Sequence, residues 1–172
     1  MAILFALVYP DISTAEQAAV TTHGMAEAHY LDILDSSLIT KNAKGKIEHV
    51  GEHHTVRTGA VAGALIGGFT GLLFFVPVAG IAAGAAFGGL IGRWTKSGAS
   101  DDFTKFREQV STDLQPGGAA LLLLCETDAR DRVIHDLGRY GGILRSTDVS
   151  EKQLAEIQQE INKVAAVSNE SP

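Results

Sequence analysis

A run of 35 residues without an ionisable side chain lies between Arg57 and Arg93, and it constrains the fold of this chain more than any other feature. The segments on either side carry all of the charge. There are seven acids against four bases up to Arg57, and thirteen acids against ten bases from Arg93 onward. The sequence therefore predicts one strongly apolar insert between two polar, mildly acidic halves.

Glycine recurs at every fourth position in two sets within this run. The sets are Gly59, Gly63, Gly67 and Gly71, then Gly80, Gly84, Gly88 and Gly92. In a helix each set lines one face, and a face without side chains lets two backbones pack closely. Glycine costs about 1 kcal/mol per helical position relative to alanine, so the pattern indicates a packing requirement. Leu, Ile, Phe and Val fill the gaps, which disfavours a flexible linker.

The two glycine sets are divided by an apolar turn that contains Phe74, Phe75 and Pro77. This arrangement predicts a glycine-zipper hairpin of two helices, each roughly 25 Å long and therefore shorter than a ~30 Å hydrocarbon core. Three placements stay open. The hairpin is a wedge that stops inside the bilayer, it is buried among other hairpins in an oligomer, or it crosses a thinned bilayer.

Basic residues flank both ends of the predicted hairpin. Arg57, Arg93 and Lys96 are accompanied by His53 and His54. Because a hairpin returns to its own side, both polar halves share one face of the membrane, and positive flanks favour the cytoplasmic face. We therefore expect a cytoplasmic-membrane location, with the polar domain in the cytoplasm.

The first polar half is predicted to form a strand, a helix and then a hairpin of two strands. The apolar run 2–9 predicts a strand buried on both faces, and the capping box Ser13-Thr14-Ala15-Glu16 predicts a helix from about Thr14 to Ala28. A strand is expected over 31–39. The turn 42–45 then leads to a return strand within 46–54.

The second polar half begins with a helix at 101–114, capped by Ser100. Its apolar stripe consists of Phe103, Phe106, Val110 and Leu114. A fully apolar strand at 119–126 follows. Next come a helix that is capped by Thr127-Asp128 and ends near Gly141-Gly142, and a strand at 142–147. The capping box at Ser150 opens a C-terminal amphipathic helix.

The two halves resemble each other as strand-helix-strand units. A Tyr is followed three and four residues later by Ile-Leu in both, at Tyr30 and at Tyr140, although coincidence is an open alternative. Two such units, each with its most apolar strand first, predict an α+β, ferredoxin-like split βαβ sheet. The expected organisation is 1–56 and 95–167 for the α+β domain, 57–94 for the hairpin, and 168–172 for a disordered tail.

The order of these features, best matched over 57–126, resembles a bacterial family of uncharacterised predicted membrane proteins, known only as a domain of unknown function. The features that carry the resemblance are the zipper hairpin, the acidic helix start Ser100-Asp101-Asp102-Phe103 and the Leu-rich strand. The resemblance implies the fold and an association with membranes. It implies no activity.

The sequence contains no recognisable motif for catalysis. His49 and His53 share a face in a strand, and with His54 they are weak candidates for a metal site, although a pH-responsive polar patch is the favoured interpretation. No phosphate loop and no nucleophile-base arrangement is readable. We therefore expect neither an enzyme nor a cofactor, and the net charge of −6 disfavours a nucleic-acid partner.

Together these features predict a non-enzymatic, self-assembling structural protein. Its expected partners are other copies of itself and membrane lipid, and its expected role is to coat, scaffold or reshape membrane, with stress as one setting. Two alternatives are an oligomeric pore made of zippered hairpins, and a soluble oligomeric shell that buries its hairpins and carries an apolar cargo.

Overall fold

Five strands and three helices make up the part of the chain that the structure, a computed structural model, describes: residues 2–50, 100–152 and 155. In chain order they are β1 (Ala2–Tyr9), α1 (Ile12–Glu27), β2 (Asp32–Lys41), β3 (Ile47–His49), α2 (Ser100–Asp113), β4 (Ala119–Glu126), α3 (Arg130–Gly138) and β5 (Ile143–Val149). All strand pairs in these residues are antiparallel, so the predicted α+β class is confirmed.

The strands form one sheet in the order β3-β2-β4-β1-β5. The two most apolar strands, β1 and β4, lie side by side, and each has a strand on both sides. Every residue of β1 is buried, and in β4 only the last residue, Glu126, is exposed. The predicted two-sided burial of these runs is confirmed, and the bounds of β4 agree with the prediction to the residue.

Helices cover both faces of the sheet. The alternating residues of β1 separate the two cores, with Phe5 and Leu7 packed beneath α1 and α3 and with Leu4 and Ala6 packed beneath α2. We refer to these sides as the α1/α3 face and the α2 face. The predicted stripe on α2 is confirmed, because Phe103, Phe106, Val110 and Leu114 are all buried on the α2 face.

The two strand-helix-strand units interleave. β4 separates β1 from β2, and β1 separates β4 from β5. Two tyrosines join the units reciprocally. The guanidinium of Arg132 in α3 lies 3.9 Å from the ring centroid of Tyr30, and the hydroxyl of Tyr140 hydrogen-bonds that of Thr21 in α1. Each tyrosine thus contacts the helix of the other unit.

The Tyr/Ile-Leu match does not hold residue by residue. Ile33 pairs with Cys125 and packs on the α1/α3 face. Ile143 pairs with Val8, which belongs to the α2 face, and is 46% exposed. The repeat is therefore one of element order, and the two matching isoleucines fall on opposite faces of the sheet.

The cap of α1 differs from the prediction. Asp11, and not Ser13, is the N-cap, because its extended backbone places Oδ1 2.8 Å from the backbone nitrogen of Thr14. The helix begins at Ile12, two residues before the predicted start at Thr14. A carboxylate that accepts the Thr14 N–H satisfies one of the free donors of the first turn.

Two boundaries in the second unit also differ. α3 begins at Arg130 behind Ala129, which makes no side-chain cap, and ends at Gly138 rather than near Gly141. The predicted cap Thr127 has another role, since its hydroxyl accepts from Ala129 N and donates to the Tyr30 carbonyl at 2.7 Å. At the start of α2, Ser100 is already helical.

The predicted hairpin of β2 and β3 is confirmed. Asn42 Oδ1 accepts from the backbone nitrogens of Lys44 and Lys46, and Gly45 has a φ of +77°, which glycine adopts readily. The return strand ends at His49 in the described residues. Of the predicted C-terminal helix, Glu151 and Lys152 are helical and the rest falls outside the described residues except for residue 155.

Candidate functional site

Most of the residues predicted to carry function lie outside the described part of the chain. These are the eight zipper glycines, Phe74, Phe75, Pro77, Arg57, Arg93, Lys96, His53 and His54. His49 is placed only by its backbone, which pairs with Ile39 in β3. In residues 2–50 and 100–152, no group of three His, Cys, Asp or Glu side chains is close enough to hold a metal ion.

The C-terminal end of α2 is fastened to the end of the sheet where β4 begins. Lys41, the last residue of β2, donates from Nζ to the carbonyls of Ser111 and Leu114 at 2.8 and 2.9 Å. From β5, Arg145 donates to both carboxylate oxygens of Asp113, at 2.7 and 3.2 Å. The hydrogen bonds to Asp113 and the charge of its carboxylate raise the pKa of Arg145, so the guanidinium stays charged.

α2 begins near the opposite end of the sheet. It lies along the sheet from Phe103 to Leu114, so its first residue, Ser100, points away from Lys41. β3 pairs with Ile39–Lys41 and runs antiparallel to β2, so it heads toward the end where β2 begins. We call the end where β2 begins, β4 finishes and α2 starts the insert end.

Acidic side chains are gathered at the insert end. Asp32 and Glu126 pair directly across β2 and β4, and both are exposed. Asp101 and Asp102 are exposed in the first turn of α2. Carboxylates in a first helical turn are favourable because they complement the helix dipole. The surface next to the insert is therefore negative.

One further acid at the insert end is buried. Asp35 in β2 is opposite Leu124, only 7% of its surface is exposed, and neither carboxylate oxygen has a hydrogen-bond partner within the described residues. Burial raises the pKa of Asp35 to about 8. The Ser36 backbone N–H opposes the shift without reaching hydrogen-bond geometry.

Sequence reasoning missed Asp35. The only local signal was an acid within a β-leaning run. In the structure Asp35 alternates with Ser37 and Ile39 on the α2 face, and a bulge between Ile33 and Asp35 leaves Leu34 40% exposed.

Cys125 offers no reactive thiol. It is fully buried on the α1/α3 face, and burial raises the pKa of its thiol to about 12. The thiolate is the nucleophilic form of cysteine, so this side chain behaves as a small apolar residue.

Within the described residues, none of the helices α1, α2 and α3 combines the length and the apolarity that a bilayer crossing requires.

Residues 60–162 match the protein family described as "Protein of unknown function (DUF1269)". The match takes in more than half of the 172 residues. The chain belongs to the DUF1269 family. No curated protein and no solved structure matches it.

The DUF1269 match includes α2, β4, α3 and β5, but it begins after β1, α1, β2 and β3. β4 and β5 do not pair with each other, because β1 lies between them and pairs with both. In this DUF1269 member, the matched strands therefore join one sheet only through the residues that precede the match.

Proposed function

We propose that this protein is a non-enzymatic structural protein that residues 58–92 anchor in the cytoplasmic membrane, with the α+β domain on the cytoplasmic side. Copies associate through the glycine faces and scaffold or reshape the membrane. The observation that carries the proposal is the 35-residue uncharged segment with its two four-residue glycine repeats. At ~25 cal/mol per Å² of apolar surface, such a segment is strongly driven out of water.

The position of the insert supports a hairpin. β3 heads toward the insert end, and α2 starts from it. Two connections directed to one end of the sheet suit a helix pair that enters the bilayer and returns. We therefore propose a glycine-zipper hairpin within 57–94, as in the bacterial predicted membrane proteins that the sequence resembles.

The sheet order supports a finer description of the domain. Without β3, the order is β2-β4-β1-β5, and the two strand-helix-strand units interleave with α1 and α3 on one face. This is the arrangement expected of a ferredoxin-like split βαβ sheet. We propose that the insert and α2 are additions to such a domain between its two halves.

The charge at the insert end argues for hydrophobic anchorage. Asp32, Asp101, Asp102 and Glu126 are exposed there, and anionic headgroups repel them. We propose that the flanking cations offset this repulsion and that apolar burial supplies the affinity. High salt and carbonate then leave the protein on the membrane, whereas a protein held by surface charge is released.

The first experiment compares the intact chain with a variant that lacks residues 58–92. The intact protein is expected to stay in carbonate-washed membranes, and the deletion variant to be soluble and folded. The deletion is compatible with the fold, because the remaining fourteen linker residues, 51–57 and 93–99, span up to ~46 Å, which exceeds the ~33 Å length of the ten-residue strand β2. An intact protein that is freely soluble and monomeric contradicts the proposal.

A second experiment separates a wedge from a pore. Val76→Cys places a thiol in the apolar turn, and Cys125→Ala removes the native thiol without burying a hydroxyl. A membrane-impermeant thiol reagent added to intact cells is expected to leave Val76→Cys unlabelled, because an all-apolar turn gains nothing by entering water. Efficient external labelling favours the pore.

The matched control is Ala43→Cys in the same background. Ala43 is exposed in the turn between β2 and β3, so this thiol is expected to react after lysis but not in intact cells. Labelling in intact cells places the domain outside the cytoplasm and contradicts the proposed orientation. If neither thiol is labelled in intact cells, lipid content decides: a wedge co-purifies with phospholipid, and a soluble shell needs no detergent.

A further inference from the structure

The β-bulge in β2 lies next to a buried acid. Leu34, the extra residue, is 40% exposed, whereas Asp35 is 7% exposed and opposite Leu124. An apolar residue outside and an acid inside is the reverse of what burial favours. The regular pairing of residues 35–40 with β4 puts Asp35 on the α2 face, and the bulge leaves Leu34 out of this ladder.

The groups around Asp35 do not compensate a negative charge. On the α2 face, β4 places Leu122, Leu124 and Glu126, and β2 places Ser37 and Asp32. The first turn of α2, which covers this face at the insert end, carries Asp101 and Asp102.

The charged neighbours that the pairing of β2 with β4 brings to this corner are acids, and the second turn of α2 carries the half-buried Arg107. Lys41 is on the same face, but it lies at the far end of β2, where its Nζ binds the last carbonyls of α2. A buried carboxylate without a cation or a donor is strongly disfavoured relative to the neutral acid.

We propose that Asp35 holds a proton in the folded protein and that loss of this proton opens the pairing of β2 with β4 at the bulge, which makes the insert end a proton-dependent switch. The O–H bond of the carboxylic acid breaks, the proton goes to solvent, and the carboxylate reaches water when β2 parts from β4. The pairing of β2 with β4 is weakest at the bulge, because the hydrogen-bond ladder is already irregular between Ile33 and Asp35.

The proposal has a quantitative signature. Burial raises the pKa of Asp35 from 3.8 to about 8. Opening therefore releases a proton between these two values, and the opening equilibrium constant rises by about tenfold per pH unit. Above about pH 8 the carboxyl is ionised in both forms, so the constant levels off.

The test uses the full-length chain in mild detergent, with two readouts. The first is the infrared carbonyl band of a protonated carboxylic acid. It is expected near pH 6 in the wild type, lost as the pH rises through about 8, and absent from Asp35→Asn. The second is hydrogen exchange of the β2 and β4 amides, corrected for the intrinsic pH dependence of exchange. Protection is expected to fall by about tenfold per unit between pH 5 and pH 8.

The variants make the outcome specific. Asp35→Asn mimics the protonated acid and is expected to lose the pH dependence of protection, whereas Asp32→Asn, an exposed acid at the same end, is expected to keep it. A wild type without the protonated-acid band at pH 6 overturns the proposal. A band that titrates while protection of β2 and β4 stays constant overturns the switch. Neither readout depends on whether residues 58–92 enter a membrane.

Discussion

The backbone of Gly142 lies directly against the ring of Tyr9. A β-carbon at Gly142 would be 2.6 Å from Cε1 of that ring and 2.8 Å from the carbonyl oxygen of Val8. Tyr9 has no room to move away, since it is buried and its hydroxyl donates to the Leu137 carbonyl at 3.3 Å. Burial, followed by the charge of Tyr140, raises the pKa of Tyr9 to about 12, so the hydroxyl remains a donor.

Gly142→Ala is therefore expected to destabilise the domain. The added methyl group overpacks a buried ring and a backbone carbonyl, which costs about 1–3 kcal/mol in the free energy of unfolding. Gly138→Ala is the matched control, because nothing lies within 4 Å of a β-carbon there. Denaturant unfolding of both variants checks the prediction, and equal stabilities of the two would contradict the contact with Tyr9.

Lys41→Met is expected to loosen the end of α2. The substitution keeps the apolar stem but removes the ammonium that donates to the Ser111 and Leu114 carbonyls. Loss of hydrogen bonds from a charged donor to partly buried carbonyls lowers the free energy of unfolding by about 1–3 kcal/mol. Lys44→Met, in the exposed turn, is expected to change it by less than about 0.5 kcal/mol. Thermal unfolding distinguishes the two.

The stability of the whole domain is expected to fall as the pH rises from about 4 to about 8. The folded state keeps a proton on Asp35 up to about pH 8, and the unfolded chain releases it near 3.8. The folded state thus binds more protons over this window, and the free energy of unfolding decreases by about 1.4 kcal/mol per pH unit from this group.

Asp35→Asn removes that contribution. At pH 7 it is expected to raise the free energy of unfolding by up to about 4 kcal/mol and to flatten the profile. Urea titrations of both proteins at several pH values supply the comparison. An Asn variant less stable than the wild type at pH 7 would mean that the carboxylate has a partner.

The glycine spacing makes a separate prediction. Gly63→Leu together with Gly84→Leu is expected to dissociate or misassemble the oligomer, because the new side chains hold apart helix backbones that need close approach. Leu65→Ile and Leu90→Ile keep the hydrophobicity and should be mild. Size measurements on the detergent-extracted protein compare the two pairs. If both pairs act alike, hydrophobicity matters and the glycine pattern does not.

The sequence predicted best where burial is two-sided. The apolar run 119–126 has no polar residue before Glu126 to blur its limits, and β4 matches it to the residue. The stripe Phe103 to Leu114 was equally readable, since its spacing selects one helix face. In both cases a single physical requirement, removal of apolar side chains from water, determines the element.

The prediction failed where local chemistry offered two solutions. Asp11 and Ser13 are both good N-cap residues, and the choice depends on how the chain turns after Pro10. The bulge at Leu34 is determined by the pairing of β2 with β4, so no local sequence pattern predicts that the alternation of side chains is interrupted there. The burial of Asp35 depends on which elements cover that face of the sheet, so it was also invisible in the local sequence.

The position of β1 between β4 and β5 has a consequence for synthesis. Residues 2–9 pair with 119–126 and 143–149. β1 therefore cannot form its strand pairs until residues more than a hundred positions downstream have been synthesised. At 5–20 residues per second, a ribosome needs roughly 6–22 s to make that stretch. The uncharged segment 58–92 leaves the ribosome within this interval. It is therefore exposed to water, lipid or another copy of the chain before the sheet can form. The insert thus reaches its environment before the α+β domain has finished folding.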